Sequence, residues 1–327
     1  MTLVKSSLII LIFAGLTFAQ KQSKTFEWNG YGQFRFYKIN NNSQGFSVRR
    51  AKIWIKGNVP NASDFSYKVM GIFKYNKNGY FGLLDAFGEY SFGKSYIRFG
   101  QQIPEFSLQR LQPDWKIPVV ERANVIDALI PAAQSSARDI GFQIHYGNNN
   151  VWQIAAGIFN GNGANLKKHN SSNFLYTTKG SVKINFTKNY FWHLGMSLMY
   201  RKAEQTDFSS IFGNTVPFTG NDFRYGFESL FNLNRVKIQA EYIEAHLGNE
   251  KAYGYYAYVN YCFTKKNQLV VNTERLVDLD EKTNDDTWLY FGYNRLFANN
   301  NLKLMFSGGT QFNDNYKLVT QIQLFFN

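Results

Sequence analysis

Polar and apolar residues alternate along almost the whole chain, from Thr25 to Phe326, and convincing helical periodicity is nearly absent. Side chains of a β-strand point to its two faces in turn, so each alternating segment predicts a strand with one apolar and one polar face. The pattern therefore predicts an all-β protein. In the last segment, Leu318, Ile322, Leu324 and Phe326 alternate with Lys317, Gln321 and Gln323.

About 16 such segments, each of roughly ten residues, divide the chain. This number and length predict a transmembrane antiparallel β-barrel, because a closed sheet pairs every backbone N–H and C=O group inside a bilayer. In the fourth segment, Leu84 and Tyr90 are expected to face lipid, opposite Asp85 and Glu89. The segments span residues 26–36, 50–56, 65–74, 84–92, 95–101, 139–146, 151–161, 174–187, 190–203, 222–233, 235–247, 252–265, 267–278, 286–297, 300–312 and 316–326.

The connections between segments favour the same fold. Short turns on one side of the membrane and longer loops on the other are typical of outer-membrane barrels. A soluble β-sandwich would also alternate, but here the aromatic residues cluster towards strand ends, as in the girdles at a membrane interface. The predicted outer loops are residues 40–45, 103–137, 162–172, 204–220 and 279–285, with shorter ones near 77–79 and 313–315.

The first 19 residues have the features of a cleaved signal peptide. Lys5 precedes an apolar run at residues 8–16, and small residues around Ala19 come directly before Gln20. A charged start, a short apolar core and a small-residue cleavage site direct export. We therefore predict a signal peptide at residues 1–19 and a single barrel domain at 20–327, located in a bacterial outer membrane.

Residues 103–137 interrupt the alternation between the fifth and sixth segments. A long stretch without strand periodicity inside a compact domain is often functional. We interpret it as the third outer loop, folded into the barrel so that it narrows the bore; a lid outside the barrel mouth is the alternative. Val119, Ala123, Ile126 and Ile130 have helical spacing and predict a short helix before Pro131, with its apolar stripe on the barrel wall.

The chain is basic, with 36 Lys and Arg against 23 Asp and Glu. A surplus of positive charge on the polar face would concentrate anions in a narrow passage. Cross-strand pairing with Asp85 and Glu89 would neutralise part of this surplus. The predicted lumen residues for anion binding are Arg50, Lys52, Lys56, Lys68, Lys74 and Arg98 on the strands, with Arg110 and Arg122 in the insert.

No motif in the sequence predicts an enzyme. The chain has no GxSxG elbow, HExxH motif, P-loop or CxxC pair, and we predict no cofactor and no metal site. The acidic loop at residues 278–286 could bind calcium, although a solvated loop is the simpler interpretation. Export makes nucleic acid an improbable partner, so the basic surplus favours small anions, and a barrel requires outer-membrane lipid.

Seven stretches carry a family resemblance: FSVRRAK at 46–52, LLDAF at 83–87, GQQIPEFSLQR at 100–110, ERANVIDAL at 121–129, ARDIG at 137–141, FNG at 159–161 and QAEY at 239–242. They resemble the phosphate-selective porin O and P family. The resemblance covers most of the mature chain and implies an outer-membrane channel of 16 strands, usually trimeric, that passes anions by diffusion. It makes phosphate a candidate solute and a homotrimer the expected assembly. A non-conducting barrel that serves as a structural anchor or adhesin is the alternative.

Overall fold

The strands close into one antiparallel barrel in which each strand pairs with its sequence neighbours and β1 pairs with β16. This computed structural model describes residues 26–40, 43–74, 80–148, 150–165, 173–213, 217–280, 285–311 and 315–327. The predicted signal peptide lies outside them. The strands are β1 (Phe26–Ile39), β2 (Ser43–Val59), β3 (Ala62–Lys74), β4 (Tyr80–Phe92), β5 (Ser95–Gln102), β6 (Asp139–Asn148), β7 (Trp152–Phe159), β8 (Leu175–Thr187), β9 (Tyr190–Thr206), β10 (Phe218–Leu233), β11 (Val236–Leu247), β12 (Glu250–Thr264), β13 (Asn267–Val277), β14 (Trp288–Phe297), β15 (Leu302–Thr310) and β16 (Tyr316–Phe326).

The predicted fold class, a barrel of about 16 antiparallel strands, is confirmed. The seam is continuous, since β1 and β16 stay in register from Gly30 opposite Phe326 to Ile39 opposite Lys317. Such a seam leaves no unpaired edge strand, which is the condition for crossing a bilayer with a sheet.

Burial is inverted relative to a soluble protein. On β16, Leu318 is 50% exposed while Gln321 is 1% exposed, and on β8 Val182 is 47% exposed while Lys179 is 7% exposed. The outer surface is therefore apolar, and the polar side chains are enclosed. This arrangement suits a barrel whose outside is solvated by lipid.

Two β-bulges shift the alternation locally. On β2, Gln33 of β1 is opposite Arg50 and the next β1 residue is opposite Val48, so Arg49 is the extra residue. On β4, Leu84 is extra in the same way, because Met70 is opposite Asp85 and Gly71 is opposite Leu83. A bulge re-aims the side chain of the inserted residue.

The bulge on β4 explains one wrong prediction. Leu84 was expected to face lipid, but it is 4% exposed and packs in a buried cluster with Tyr31, Trp54 and Met70. Counting residues in steps of two cannot detect an extra residue, so the predicted phase is wrong at this position.

Residues 103–138 join β5 to β6 and contain two short helices, α1 (Leu108–Leu111) and α2 (Asn124–Leu129), followed by a 3-10 turn (Ala133–Ser135). Helix α2 is shorter than the apolar spacing predicts, since Val119 and Ala123 precede it. Its apolar residues pack on strands β11–β13, as predicted. A third helix, α3 (Ser209–Phe212), lies between β9 and β10, and a 3-10 turn (Ala298–Asn300) joins β14 to β15. Within the described residues, no helix has the length and apolar character needed to cross a membrane.

Placing a charge on the apolar outer face should destabilise the barrel. Val182→Arg puts a guanidinium near the middle of β8, where we expect the free energy of unfolding to fall by about 2–4 kcal/mol. The matched control is Ser181→Arg on the opposite face, for which the expected change is within about 1 kcal/mol. Urea unfolding of both variants in lipid vesicles measures the difference. Equal losses for the two variants would contradict this assignment of the faces.

Candidate functional site

Asp114, in the segment between β5 and β6, lies among bases of β2 and of its own segment. Its carboxylate is 2.5 Å from Lys52 Nζ, 2.7 Å from an Arg122 nitrogen and 3.8 Å from Arg50 Nε. The Tyr31 hydroxyl also donates to it at 2.9 Å. The Asp114 side chain is only 8% exposed, so the ion pairs are shielded from water.

Glu121 is another carboxylate of this segment that contacts the barrel wall. It accepts hydrogen bonds from Arg35 of β1 and from Arg49 of β2, the latter at 2.8 Å, and Arg50 lies 3.5 Å away. Three arginines from two neighbouring strands therefore surround one carboxylate. Arg35 is held from the other side by the side-chain oxygen of Gln321, at 2.6 Å.

Sequence reasoning predicted Arg50, Lys52 and Arg122 in this cluster but not Arg49. In an unbroken strand, Arg49 would point away from Arg50, and only the bulge on β2 brings both to Glu121. No simple signal in the sequence marks the bulge. Two adjacent arginines on an otherwise alternating strand were the one available hint.

The surrounding bases keep both carboxylates ionised. Burial acts to raise the pKa of Asp114, but Lys52, Arg122 and Arg50 outweigh burial and hold this pKa well below its usual range. Burial also opposes ionisation of Glu121, yet Arg50 and Arg49 lower the pKa of Glu121 to about 2. Both side chains are therefore negatively charged at neutral pH.

Two other predicted bases pair with the carboxylates expected for them. Lys68 Nζ is 2.7 Å from Asp85, and Arg98 is 2.7 Å from Glu89. The predicted cross-strand pairing is thus confirmed. Arg138, which sequence reasoning did not include, also binds Asp85 at 2.9 Å, so this carboxylate has two basic partners.

The remaining predicted bases lie in different places. Lys56 pairs with Glu27 at 3.1 Å, and both side chains are more than half exposed at the strand ends. Lys74 is the last residue of β3, and its side chain lies outside the described part of the structure. Arg110 is in α1 and donates to the carbonyl oxygen of Ser136. The eight predicted residues therefore do not form one patch.

One large cavity collects most of the central bases. Its lining carries more positive than negative side chains, and the positive ones come from β1, β2 and the 103–138 segment. A cavity with such a surplus has a positive potential that raises the local concentration of anions. The charged lining residues are Arg35, Arg49, Arg50, Lys52, Arg110 and Arg138 against Asp114 and Asp127.

Wall side chains also hold the backbone of the 103–138 segment. Glu241 of β11 accepts the N–H groups of Leu108 and Gln109 at 3.0 and 2.6 Å. Lys303 of β15 donates to the carbonyl of Ile117 at 2.8 Å. Further bonds run from Asn294 of β14 to Pro118 at 2.7 Å and from Gln323 of β16 to Trp115 at 3.1 Å. These anchors involve backbone groups, which sequence reasoning could not assign.

A buried ion-pair group on β9 and β10 fixes the far end of α2. Asp222 lies 2.8 Å from Arg201 and 2.7 Å from Arg224, and Arg224 also donates to the carbonyl groups of Leu129 and Ile130. Asp222 was missed by sequence reasoning, although its spacing of two residues from Arg224 places both on one face. This group stabilises the segment through one carboxylate that is shared by two arginines.

Among the described residues, no cluster of three or more His, Cys, Asp or Glu side chains could hold a metal ion. The geometry is that of a charged cavity bordered by a folded segment, which can bind small solutes.

The sequence model of the phosphate-selective porin O and P family matches residues 26–284, well over half of the 327 residues. The chain belongs to the phosphate-selective porin O and P family. It is an outer-membrane porin, and the recognition made from the sequence is confirmed. No curated protein matches the chain by sequence.

Solved structures of low identity share the fold of this porin. A loop-deletion mutant of OmpT, an outer membrane protein of Vibrio cholerae, is 13% identical with a TM-score of 0.65, covering 92% of this chain and 99% of that one. A trimer form of OmpT is 12% identical with a TM-score of 0.63, at 92% and 99% coverage. A triple mutant of the Rh. blastica porin is 10% identical with a TM-score of 0.59, at 92% and 100% coverage.

The low pKa of Glu121 predicts how its contribution to stability varies with pH. A depressed pKa in the folded state stabilises the protein fully above the pKa of a free glutamate, about 4.3. The contribution is lost as the pH falls towards the folded-state value of about 2. We expect the thermal midpoints of wild type and Glu121→Gln to differ by a constant amount from about pH 7 to pH 5. The difference should shrink below about pH 4, and its disappearance between pH 7 and pH 5 would contradict the assignment.

Proposed function

We propose that this porin passes small anions, phosphate among them, by diffusion along the basic lining of its large cavity. The observation that carries the proposal is the surplus of positive side chains there, six bases against two acids. Glu121 adds a third acid next to this lining, and the surplus survives it. Arginine suits contact with the oxygens of phosphate, while lysine offers a mobile charge.

Anions in this passage would contact Arg49 first among the central bases. Its side chain is 37% exposed, whereas those of Arg35, Arg50 and Lys52 are at most 10% exposed. The buried bases supply the potential, and the exposed one supplies a contact. Conduction needs contacts weak enough for the ion to leave again, which partly neutralised arginines provide.

We propose that residues 103–137 cross the bore and narrow it. The support comes from hydrogen bonds between the 103–138 segment and strands β1, β2, β11 and β14–β16. These strands make up much of the circumference of the closed sheet. Trp115 also reaches the Phe325 ring near the end of β16, at 4.7 Å between ring centres. A lid lying outside the barrel mouth would not reach that depth.

The proposal has further features, of which the signal peptide is supported by the sequence alone. Residues 1–19 act as a cleaved signal peptide, residues 20–327 form one domain surrounded by outer-membrane lipid, and the functional unit is a homotrimer. One structurally similar protein, OmpT of Vibrio cholerae, has a trimer form. We propose no catalytic activity and no nucleic-acid partner.

Neutralising the exposed arginine should reduce anion preference. For Arg49→Gln we expect the ratio of chloride to potassium permeability to fall roughly twofold or more, because the local anion concentration follows the potential. Reversal potentials across planar bilayers in a KCl gradient measure this ratio. Lys38→Gln is the control, since Lys38 lies over the Tyr316 ring on the outer rim. An unchanged ratio in Arg49→Gln would reject the placement of the anion path.

Removing the charge of Glu121 should have the opposite effect. Glu121→Gln keeps the size of the side chain and frees charge on Arg35, Arg49 and Arg50. We expect the permeability ratio for chloride over potassium to rise, again roughly twofold. Glu27→Gln is the matched control, because Glu27 pairs with Lys56 at an exposed strand end. A lower ratio in Glu121→Gln would contradict the proposed polarity of the passage.

The non-conducting barrel remains the second candidate function. The observation that favours it is the density of bonds between the 103–138 segment and the wall, which would suit a plug. Purified protein that inserts normally into planar bilayers and shows no discrete conductance would replace the porin proposal with a structural anchor or adhesin.

A further inference from the structure

A second, smaller cavity lies between residues 118–127 and strands β13–β16. It has a volume of about 210 Å³, and charges of both signs line it. Its lining includes Asp127 of α2, Glu274 of β13 and Lys317 of β16. None of these three side chains forms an ion pair with another residue of the described part of the chain.

This cavity differs from the larger one in how its charges are satisfied. In the larger cavity, Asp114 is held by three bases. Here, Glu274 receives only long hydrogen bonds, from the Asn124 N–H group and the Tyr290 hydroxyl, each at 3.3 Å. A carboxylate that is 4% exposed and forms no ion pair with another described residue is costly, so a cationic group in the cavity would be stabilised.

The opposite charge lines the same cavity. Lys317 is opposite Gly309, Gly309 is opposite Tyr290, and Tyr290 is opposite Asn272, two residues from Glu274. The ammonium group of Lys317 and the carboxylate of Glu274 therefore approach one cavity from strands three places apart. Neighbouring strands lie about 4.8 Å apart, so the two backbones are separated by roughly 14 Å along the wall.

Unsatisfied polar atoms adjoin the same cavity. Arg122 and Asn272 both contribute to the lining. In the described structure, Arg122 Nη1 and Asn272 Oδ1 are buried without a hydrogen-bond partner. One is a donor and the other an acceptor, and an unmet buried polar atom favours a bound partner.

We propose that this cavity binds a small zwitterion of the amino-acid class. Its ammonium group would lie against Asp127 and Glu274, and its carboxylate against Lys317 and Arg122. The cavity volume equals that of about seven water molecules, since each occupies ~30 Å³ in liquid water. A cavity of this size suits a small amino acid. Arg49 and Asp127 line both cavities, so the smaller cavity adjoins the larger one.

The first test needs no variant. Single-channel current of the purified full-length porin is recorded in KCl while alanine, N-acetylalanine or alanine methyl ester is added. Alanine carries both charges, and each analogue retains one. We expect alanine to reduce the current in a saturable way at concentrations at least tenfold lower than either analogue. Equal potency of all three would overturn the proposal, as would an ester or an N-acetyl compound as potent as alanine, which would indicate a cation or an anion site.

The second test uses variants that should fold, because their side chains form no ion pairs in the described structure. Asp127→Asn and Lys317→Gln should each raise the half-blocking concentration of alanine about tenfold. Lys183→Gln is the matched control, since Lys183 packs on the Phe191 ring at 4.2 Å and does not line the cavity. Unchanged block in both variants would overturn the proposal. The reversal potential measured in the same membranes tests anion preference separately, so failure of one inference is distinguishable from failure of the other.

Discussion

Every backbone polar group that enters the bilayer needs a partner within the protein, and the closed seam between β1 and β16 is what meets this requirement. Closure forces one face of each strand towards lipid and the other towards an enclosed space. The outer face consequently carries exposed side chains such as Leu318 and Val182, while glutamines and charged residues are buried. Charges that would be solvated on a soluble protein instead face one another across the barrel.

The 103–138 segment shapes how those charges combine. It supplies carboxylates to the arginines and lysines of β1 and β2, while its backbone N–H groups donate to Glu241 and one of its carbonyl groups accepts from Lys303, both on the far strands. The pairing is incomplete, because the large cavity retains six bases against two acids. The segment thus moderates a positive wall without cancelling it, as the proposed passage of anions requires.

The strands could be predicted because side chains that face lipid are apolar, so every second residue of a strand is apolar. Strand β16 follows this alternation from Leu318 to Phe326. Arg50 and Lys52 could be placed on one inward face for the same reason. Arg49 and Leu84 could not, since each is the extra residue of a bulge and no rule of alternation detects one. The path of residues 103–138 has no period, and side chains remote in sequence, such as Arg35 and Glu121, determine it. Lys74 keeps its predicted strand, while its side chain lies outside the described residues.

The most direct test of the basic passage is the sign of the reversal potential of the wild-type channel. Purified porin in a planar bilayer, with KCl at a tenfold higher concentration on one side, reports whether chloride or potassium carries more current. A potential of the sign set by chloride agrees with a positively charged passage. A potential of the sign set by potassium would contradict it, whatever the effect of individual substitutions.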